Sequence, residues 1–363
     1  MAKTALPTIL KFDEAYFERI WGGNRLRARL GKSAPADRPI GEAWLLSDHP
    51  VHQSRVAEGP LQGASLGELL ATFGSRLLGS RVRPTHHGRF PLLLKILDAQ
   101  DVLSIQVHPD DETAAQLGEP DVGKTEMWHV LEHEPGAQLI CGLKPGVTPA
   151  SFERAIQDGS VEDLLVKFPV EPGDSVFVPA GTVHAIGAGI LLTEIQQNSD
   201  ITYRVYDFGR IGPNGQSREL HIEKSLKATK FGSHHRGKTM PLRYDATRQL
   251  LAVCRYFAAE LVTIPGRYAR DTRGDSFHIV MALNPDIKIT TPKSKRLLTR
   301  GEAVLVSGEC VQFELSGCGQ ALVYYVPNLQ LDILKPLLEI GYTMNDLLAM
   351  SGSTDSGDLT FDP

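Results

Sequence analysis

The chain has 363 residues, of which 42% are hydrophobic and 22% charged, and its formal net charge is −5. Single hydrophobic cores stop growing at about 250–300 residues, so two or three packed units are expected. The acidic balance excludes a nucleic-acid footprint, which needs a clustered basic excess, but leaves room for an anionic small molecule held by a few local cations. Cys141, Cys254, Cys310 and Cys318 are scattered and form no CxxC pair, which predicts reduced thiols rather than a disulfide framework. The N-terminal stretch has no continuous apolar segment and carries acids early, so no secretory leader is expected. No apolar run reaches the length of a membrane span, and the expected compartment is the cytoplasm.

In chain order, the first helical pattern is Ala64 to Leu78, with Leu66, Leu69, Leu70 and Phe73 on one face. Pro91 to Leu97 follows as a near-continuous apolar run, the signature of a strand buried on both faces. Leu103 to Val107, Met127 to Leu131 and Gln138 to Gly142 read as short strands. Thr148 to Leu165 opens on Thr-Pro and predicts a helix. Asp174 to Val178 and Ile190 to Gln196 return to strand patterning. From about Gly209 to Leu242 the chain is polar, basic and Gly-containing, and it is read as a connection. After Tyr244, six evenly spaced short strands (FAAELVTI, FHIVMAL, IKIT, EAVLVSG, CVQFEL, ALVYYVP) predict a second β-sandwich or barrel. Leu329 to Met350 reads as one or two helices, and the tail after it is either free or docked by Phe361.

Four side chains are to be read together. Gln106 and His108 are two apart on a strand, so both project from one face. Glu126 begins another strand, and His129 falls on the opposite face of that strand and is left out of the set. His184 follows Gly173, Pro179 and Gly181, a spacing in which Pro fixes φ and Gly permits a tight bend before the next strand. This spacing resembles the second cupin motif, with Ala188 where an Asn is usual. The QxH…E cluster resembles the first cupin motif, with Gln106 in place of a His. Two imidazoles, a carboxylate and an amide make an N/O donor set that suits Zn²⁺, with Fe, Mn, Co or Ni as alternatives. His49, His52, His86, His87, His133, His221, His234, His235 and His278 are read as ordinary polar residues.

The segments LLLKILDAQDVLSIQVHPDD, GKTEMW, VPAGTVHAI and EIQQNSDITYRVYDFGR resemble type I mannose-6-phosphate isomerases of the shorter bacterial form. WGGNRL and GEAWLLSDHP resemble the N-terminal segments of that family. The resemblance covers roughly residues 10–230, and beyond that only the β-rich texture and length are similar. It implies a mainly β chain with two cupin or jelly-roll type β-barrels, a few helices packed at the side and a helical C-terminal segment. The division would be a catalytic barrel at 1–210 with helical insertions at about 64–80 and 148–166, a connection at 211–242, and a β-sandwich or barrel with terminal helices at 243–363.

The same resemblance implies one Zn²⁺ per chain on Gln106, His108, Glu126 and His184. It implies Arg204 and Lys124 as catalytic residues, with Lys95, Ser104, Asp200 and Glu194 at the substrate, the first two near a phosphate. A lysine in an apolar strand is costly without a partner, so an acid or a phosphate is expected beside Lys95. Read without the family, Arg204 is best placed in a salt bridge with Asp200 or Asp207. The implied reaction moves a proton between C2 and C1 of a sugar phosphate through an enediol, interconverting mannose 6-phosphate and fructose 6-phosphate. The base is left open among Lys124, Glu194, Asp200 and a water at the metal. The competing readings are another metal enzyme on the same barrel and a non-catalytic sugar-phosphate-binding protein. The expected partner is a small sugar phosphate, with neither nucleic acid nor membrane, in a monomer or homodimer.

Overall fold

The computed structural model describes residues 5–212, 215–233 and 237–350. The tail beyond Met350, and His234 and His235, lie outside the described residues. The described chain is mainly β, in three large antiparallel sheets and a small hairpin, and none of these sheets closes into a barrel. Among the described residues no helix is long and apolar enough to cross a membrane.

The six-stranded sheet is the middle layer. Its strands run Ser175–Val178, Glu126–His133, Ile190–Gln197, Leu92–Ala99, Ile40–Leu46 and Ala15–Gly23 in spatial order. Alternation along Leu92–Ala99 explains its continuous apolar character. Leu92, Leu94 and Ile96 pack with Leu251, Ile279 and Leu322 of the nine-stranded sheet. Leu97 and Ala99 point the other way, to Leu139, Cys141 and Ile186 of the five-stranded sheet. Side chains two apart share a face, so one strand serves two cores.

The five-stranded sheet has the order Leu165–Pro169, Gln138–Leu143, His184–Ile186, Ile105–Val107, Tyr203–Tyr206. Its outer face is covered by Phe152, Ala155 and Ile156 of the Pro149–Asp158 helix and by Ala228 of the Ile222–Ala228 helix. The first of these helices starts where Thr-Pro predicts. Thr148 caps it by accepting from the Ser151 N–H, Pro149 fills the first turn, and Gly159 ends it at φ +79°. The Leu66–Phe73 helix is capped reciprocally by Ser65 and Glu68 and buries Leu66, Leu69 and Leu70. The Ile222–Ala228 helix was not expected, because it lies in the polar segment read as a connection.

The nine-stranded sheet carries the C-terminal half. The expected strands CVQFEL and ALVYYVP are one long strand, Gln312–Tyr325, and the expected FAAELVTI strand runs on to Asp271 as Ala258–Asp271; the two pair along their full length. Pro265 and Gly266 sit inside the first, opposite Cys318 and Gly317. Only the part up to Val262 also pairs with Arg248–Val253. Thr263 N–H still donates to the Thr247 carbonyl at 2.7 Å, and beyond it no strand pairs with that side among the described residues, so a proline without an N–H is tolerated there. The second face of the sheet is covered by Ile333, Leu337, Leu347 and Met350 from the helical turns Leu329–Leu334, Lys335–Glu339 and Met344–Met350. Ile9–Leu10 completes the sheet by pairing with Ala303–Val306.

Candidate metal centre and adjoining cavity

The site forms where two sheets face each other. In the five-stranded sheet, Cys141, His184, Gln106 and Arg204 stand in register across four neighbouring strands. In the six-stranded sheet, Trp128, Glu194, Lys95 and Trp44 do the same. Glu126 lies two residues from Trp128 and therefore shares its face.

The turn before His184 explains its placement. Gly181 has φ +90°, and its N–H donates to the His108 carbonyl at 2.7 Å. A Cβ there would meet the Lys230 side chain at 2.6 Å, so glycine is required both for the conformation and for the space. The bend thus ties the two histidine-bearing segments directly together.

His108 Nδ1–H donates to the Ile201 carbonyl at 2.6 Å, and His184 Nδ1–H donates to the Thr182 carbonyl at 2.8 Å. Both imidazoles therefore present an Nε2 lone pair inward, the arrangement that carbonyl partners impose on metal-ligating histidines. Their Nε2 atoms lie 3.7 and 3.4 Å from the two Glu126 oxygens. Donors about 2.1 Å from one tetrahedral centre stand about 3.4 Å apart, so this spacing fits a shared metal ion. Glu126 is fully buried and its Oε1 makes no hydrogen bond. A buried carboxylate oxygen without a donor is costly, and a cation between it and the imidazoles would satisfy it. Gln106 approaches with its amide 3.2 Å from His184 Nε2, and half a turn of that amide brings its oxygen into the same space. The residues present thus fit a metal.

Electrostatics supports this. Burial, followed by the charge of Lys124, pushes His108 well below its ordinary value, and burial brings His184 to about 4, so both rings are neutral and ligand-ready. Lys124 donates to Glu126 Oε2 and lies 3.1 Å from His108 Nε2. Burial disfavours its ammonium, but Glu126 and Glu194 more than offset this and hold it charged, above its ordinary range. The chain itself thus supplies a cation to the donor set. Burial and then the Glu126 charge raise the Glu194 carboxyl. Trp128 Nε1–H donates to Glu194 at 3.0 Å.

A cavity of about 350 Å³ opens in front of this cluster. It is lined by Lys95, Ser104, Gln106, Lys124, Glu194, Asp200 and Arg204, with the buried His108, Glu126 and His184 behind Lys124 and Gln106. Lys95 has the acids its burial calls for, with Glu42, Glu194 and Asp200 at 3.9, 3.8 and 3.7 Å and the Trp44 ring beneath it. Arg204 donates from Nη1 to the Glu219 carbonyl at 2.8 Å, while its buried Nε has no partner. The salt bridge expected of it does not form. Asp207 is taken by Arg210 and Arg218, at 2.7 and 2.5 Å.

Sequence reasoning missed Arg19, Glu42 and Arg218, which also line the cavity. Glu42 accepts from Arg19 at 2.7 Å and from Trp44 Nε1–H at 2.7 Å. Lys95 and Arg19 outweigh its burial and bring it to about 2. Alternation of Glu42 and Trp44 along a strand is a signal that could have found them. Arg218 lies outside any periodic segment and gives none. His129 is on the same side of the strand as Met127, the side turned to the nine-stranded sheet, and bonds Ser175 Oγ at 2.9 Å, away from the cluster.

Fold and site together define a mainly β protein in which a buried donor set that fits a metal opens on a polar, cation-rich cavity. Residues 9–135 match the family model of phosphomannose isomerase type I, catalytic domain. A mannose-6-phosphate isomerase of Streptococcus mutans is 44% identical over 215 residues, 59% of this chain and 66% of that protein. Mannose-6-phosphate isomerase ManA of Bacillus subtilis is 34% identical over 319 residues, 87% of this chain and 98% of that protein. A crystal structure of the mannose 6-phosphate isomerase from Bacillus subtilis superposes with a TM-score of 0.80 at 32% identity, over 88% of this chain and 99% of the other. The chain belongs to the type I phosphomannose isomerase family.

Proposed function

We propose that the chain is an aldose–ketose isomerase interconverting mannose 6-phosphate and fructose 6-phosphate through an enediol. The observation that carries this reading is that the Gln106–His108–Glu126–His184 donor set lies directly behind a cavity lined by Gln106, Lys124, Glu194 and Arg204. Family membership, with relatives named for this reaction, supports the substrate. One Zn²⁺ per chain, held by those four donors, supplies Lewis-acid stabilisation of oxyanion charge when bound.

The remaining steps belong to the protein. Glu194 takes the proton from the sugar carbon and returns it to the neighbouring one. Its carboxyl is buried and fixed by Trp128, and its raised affinity for a proton brings it nearer the working range of a general base. Lys124 and Arg204 supply positive charge to the developing oxyanion, Arg204 through a guanidinium whose Nε has no internal partner. Asp200 and Ser104 contact the sugar phosphate. Lys95 turns to the phosphate from carboxylates that it holds only loosely, none closer than 3.7 Å.

The facing five- and six-stranded sheets are read as a cupin-type jelly roll and the nine-stranded sheet as a second, with the division 1–210, 211–242 and 243–363. The protein is assigned to the cytoplasm, as a monomer or homodimer. A coupled assay tests the reading. Zinc-replete protein should form fructose 6-phosphate from mannose 6-phosphate and stop when chelator strips the metal. Unchanged mannose 6-phosphate with metal-replete protein would sink it.

A further inference from the structure

A second cavity of about 350 Å³ lies in the C-terminal sheet and has no part in the reaction above. Its floor is a locked polar network. Glu260 is fully buried, accepts from Arg270 Nη1 at 2.8 Å and from the Tyr325 hydroxyl at 2.7 Å, and has Arg248 Nε at 3.8 Å. This fixes Arg270 and Tyr325, both of which line the cavity. His278 stacks on Tyr325 at 5.0 Å and 17° and is 3% exposed. Its Nδ1–H donates to the Ser276 carbonyl at 3.2 Å, which leaves Nε2 as an acceptor on a ring that lines the cavity. Burial, and then the charge of Arg270, keep that ring neutral. Arg248 Nε is buried without a hydrogen-bond partner. Nothing in the local pattern points to this, since His278 reads as an ordinary polar residue.

The charge on the lining decides what the cavity accepts. Arg248, Arg270 and Arg273 face Asp245, Asp271, Asp275 and Asp332, with Glu260 beneath. An anionic ligand would meet more carboxylates than guanidiniums. A metal ion would need a compact donor set, and among the described residues only His108, Glu126 and His184 form one. Asp275 and Asp332 are already paired with Arg273. A polyhydroxyl compound suits the lining, because neighbouring hydroxyls can donate to carboxylates and accept from guanidiniums at once. The Tyr325 ring lies between the His278 ring and the Arg270 guanidinium, so recognition rests on polar contacts to the hydroxyls and on the His278 Nε2 acceptor rather than on a ring face. The volume is at the lower end of small-molecule sites.

We propose that this cavity is a binding site for a neutral hexose, separate from the sugar-phosphate site and without chemistry of its own. The proposal stands whether or not the isomerase reading does.

Saturation-transfer NMR on the full chain, with D-mannose and D-glucose as probes, tests it. At least one hexose should receive saturation. Arg273→Ala and Asp245→Asn should each weaken that binding about tenfold or more, the size of a lost contact to a charged group. Both residues are at the rim, and a thermal melt checks each fold. If Arg273→Ala unfolds, Asp245→Asn carries the test. Arg204→Ala should leave hexose binding intact. Three results would each overturn the proposal: no transfer to either hexose, transfer that survives both rim variants, or displacement of the hexose by inorganic phosphate.

Discussion

The two cavities have the same volume and use the same kinds of side chain, yet they are built in opposite ways. The first lies between two sheets and leaves key atoms unsatisfied, notably Glu126 Oε1 and Arg204 Nε. The second lies between one sheet and the helical turns over it, and both oxygens of its central acid, Glu260, are occupied by protein donors, although Arg248 Nε beside it has no hydrogen-bond partner. An unpaired buried polar atom costs roughly 1–3 kcal/mol, so it persists where a ligand or a metal completes it. A carboxylate bonded on both oxygens instead holds a shape. The contrast separates a place for chemistry from a place for recognition.

The sharpest way to break this contrast is His184→Ala. It removes one imidazole donor, and bound zinc should fall well below one per chain, with turnover down at least about 10³-fold. Metal analysis and the coupled assay read both effects. Retained zinc and activity would move the metal elsewhere. Glu194→Gln keeps shape and burial but removes the proton acceptor. It should lower kcat by about 10²–10⁴-fold with KM nearly constant. A change confined to KM would make Glu194 a substrate contact instead.

Smaller in scale is the effect of pH on stability. Burial lowers His129 to about 4 from 6.5, so the unfolded chain binds the additional proton between those values. Stability should therefore fall as pH drops from 6.5 towards 4 and level off below, by about 3 kcal/mol from this residue. Denaturant melts of His129→Phe should lose that part of the slope, and an unchanged slope would refute the assignment. Smallest of all is Arg273→Ala, which should leave isomerase kcat/KM within about twofold because distant sites act independently. A large loss there would join the two cavities energetically.

Much of the first site was legible in the sequence because period-two geometry is short-ranged. Gln106 and His108 share a face by their spacing, and the Pro179–Gly181–His184 turn fixes a direction locally. Glu126 and His129 were sorted to opposite faces by parity alone, and the structure agrees. What escaped depends on distant partners. Arg218 reaches the cavity from an irregular segment, held by Asp207. The strand Ala258–Asp271 runs through Pro265–Gly266, which local rules read as an end. It continues because its neighbour supplies Gly317 opposite, and among the described residues no strand pairs with its other side beyond Thr263. The helix Ile222–Ala228 lies in a polar stretch, and tertiary packing of Ala228 and Leu226 against the five-stranded sheet gives it a buried face.

The pairing of Ile9–Leu10 with Ala303–Val306 has a consequence for how the molecule is made. A ribosome emits the first of these strands early, and its partner almost three hundred residues later. Until then that short apolar segment has no edge to join. The five- and six-stranded sheets use no strand beyond Tyr206, although many of their pairs join distant segments, whereas closure of the nine-stranded sheet waits for nearly the whole chain. Once made, the seam covers the open edge of Ala303–Val306, which would otherwise invite pairing with another chain. A chain ending short of Ala303 would leave Ile9–Leu10 unpaired, and one ending short of Gln312 would leave Ala258–Asp271 without the strand it pairs with along its full length.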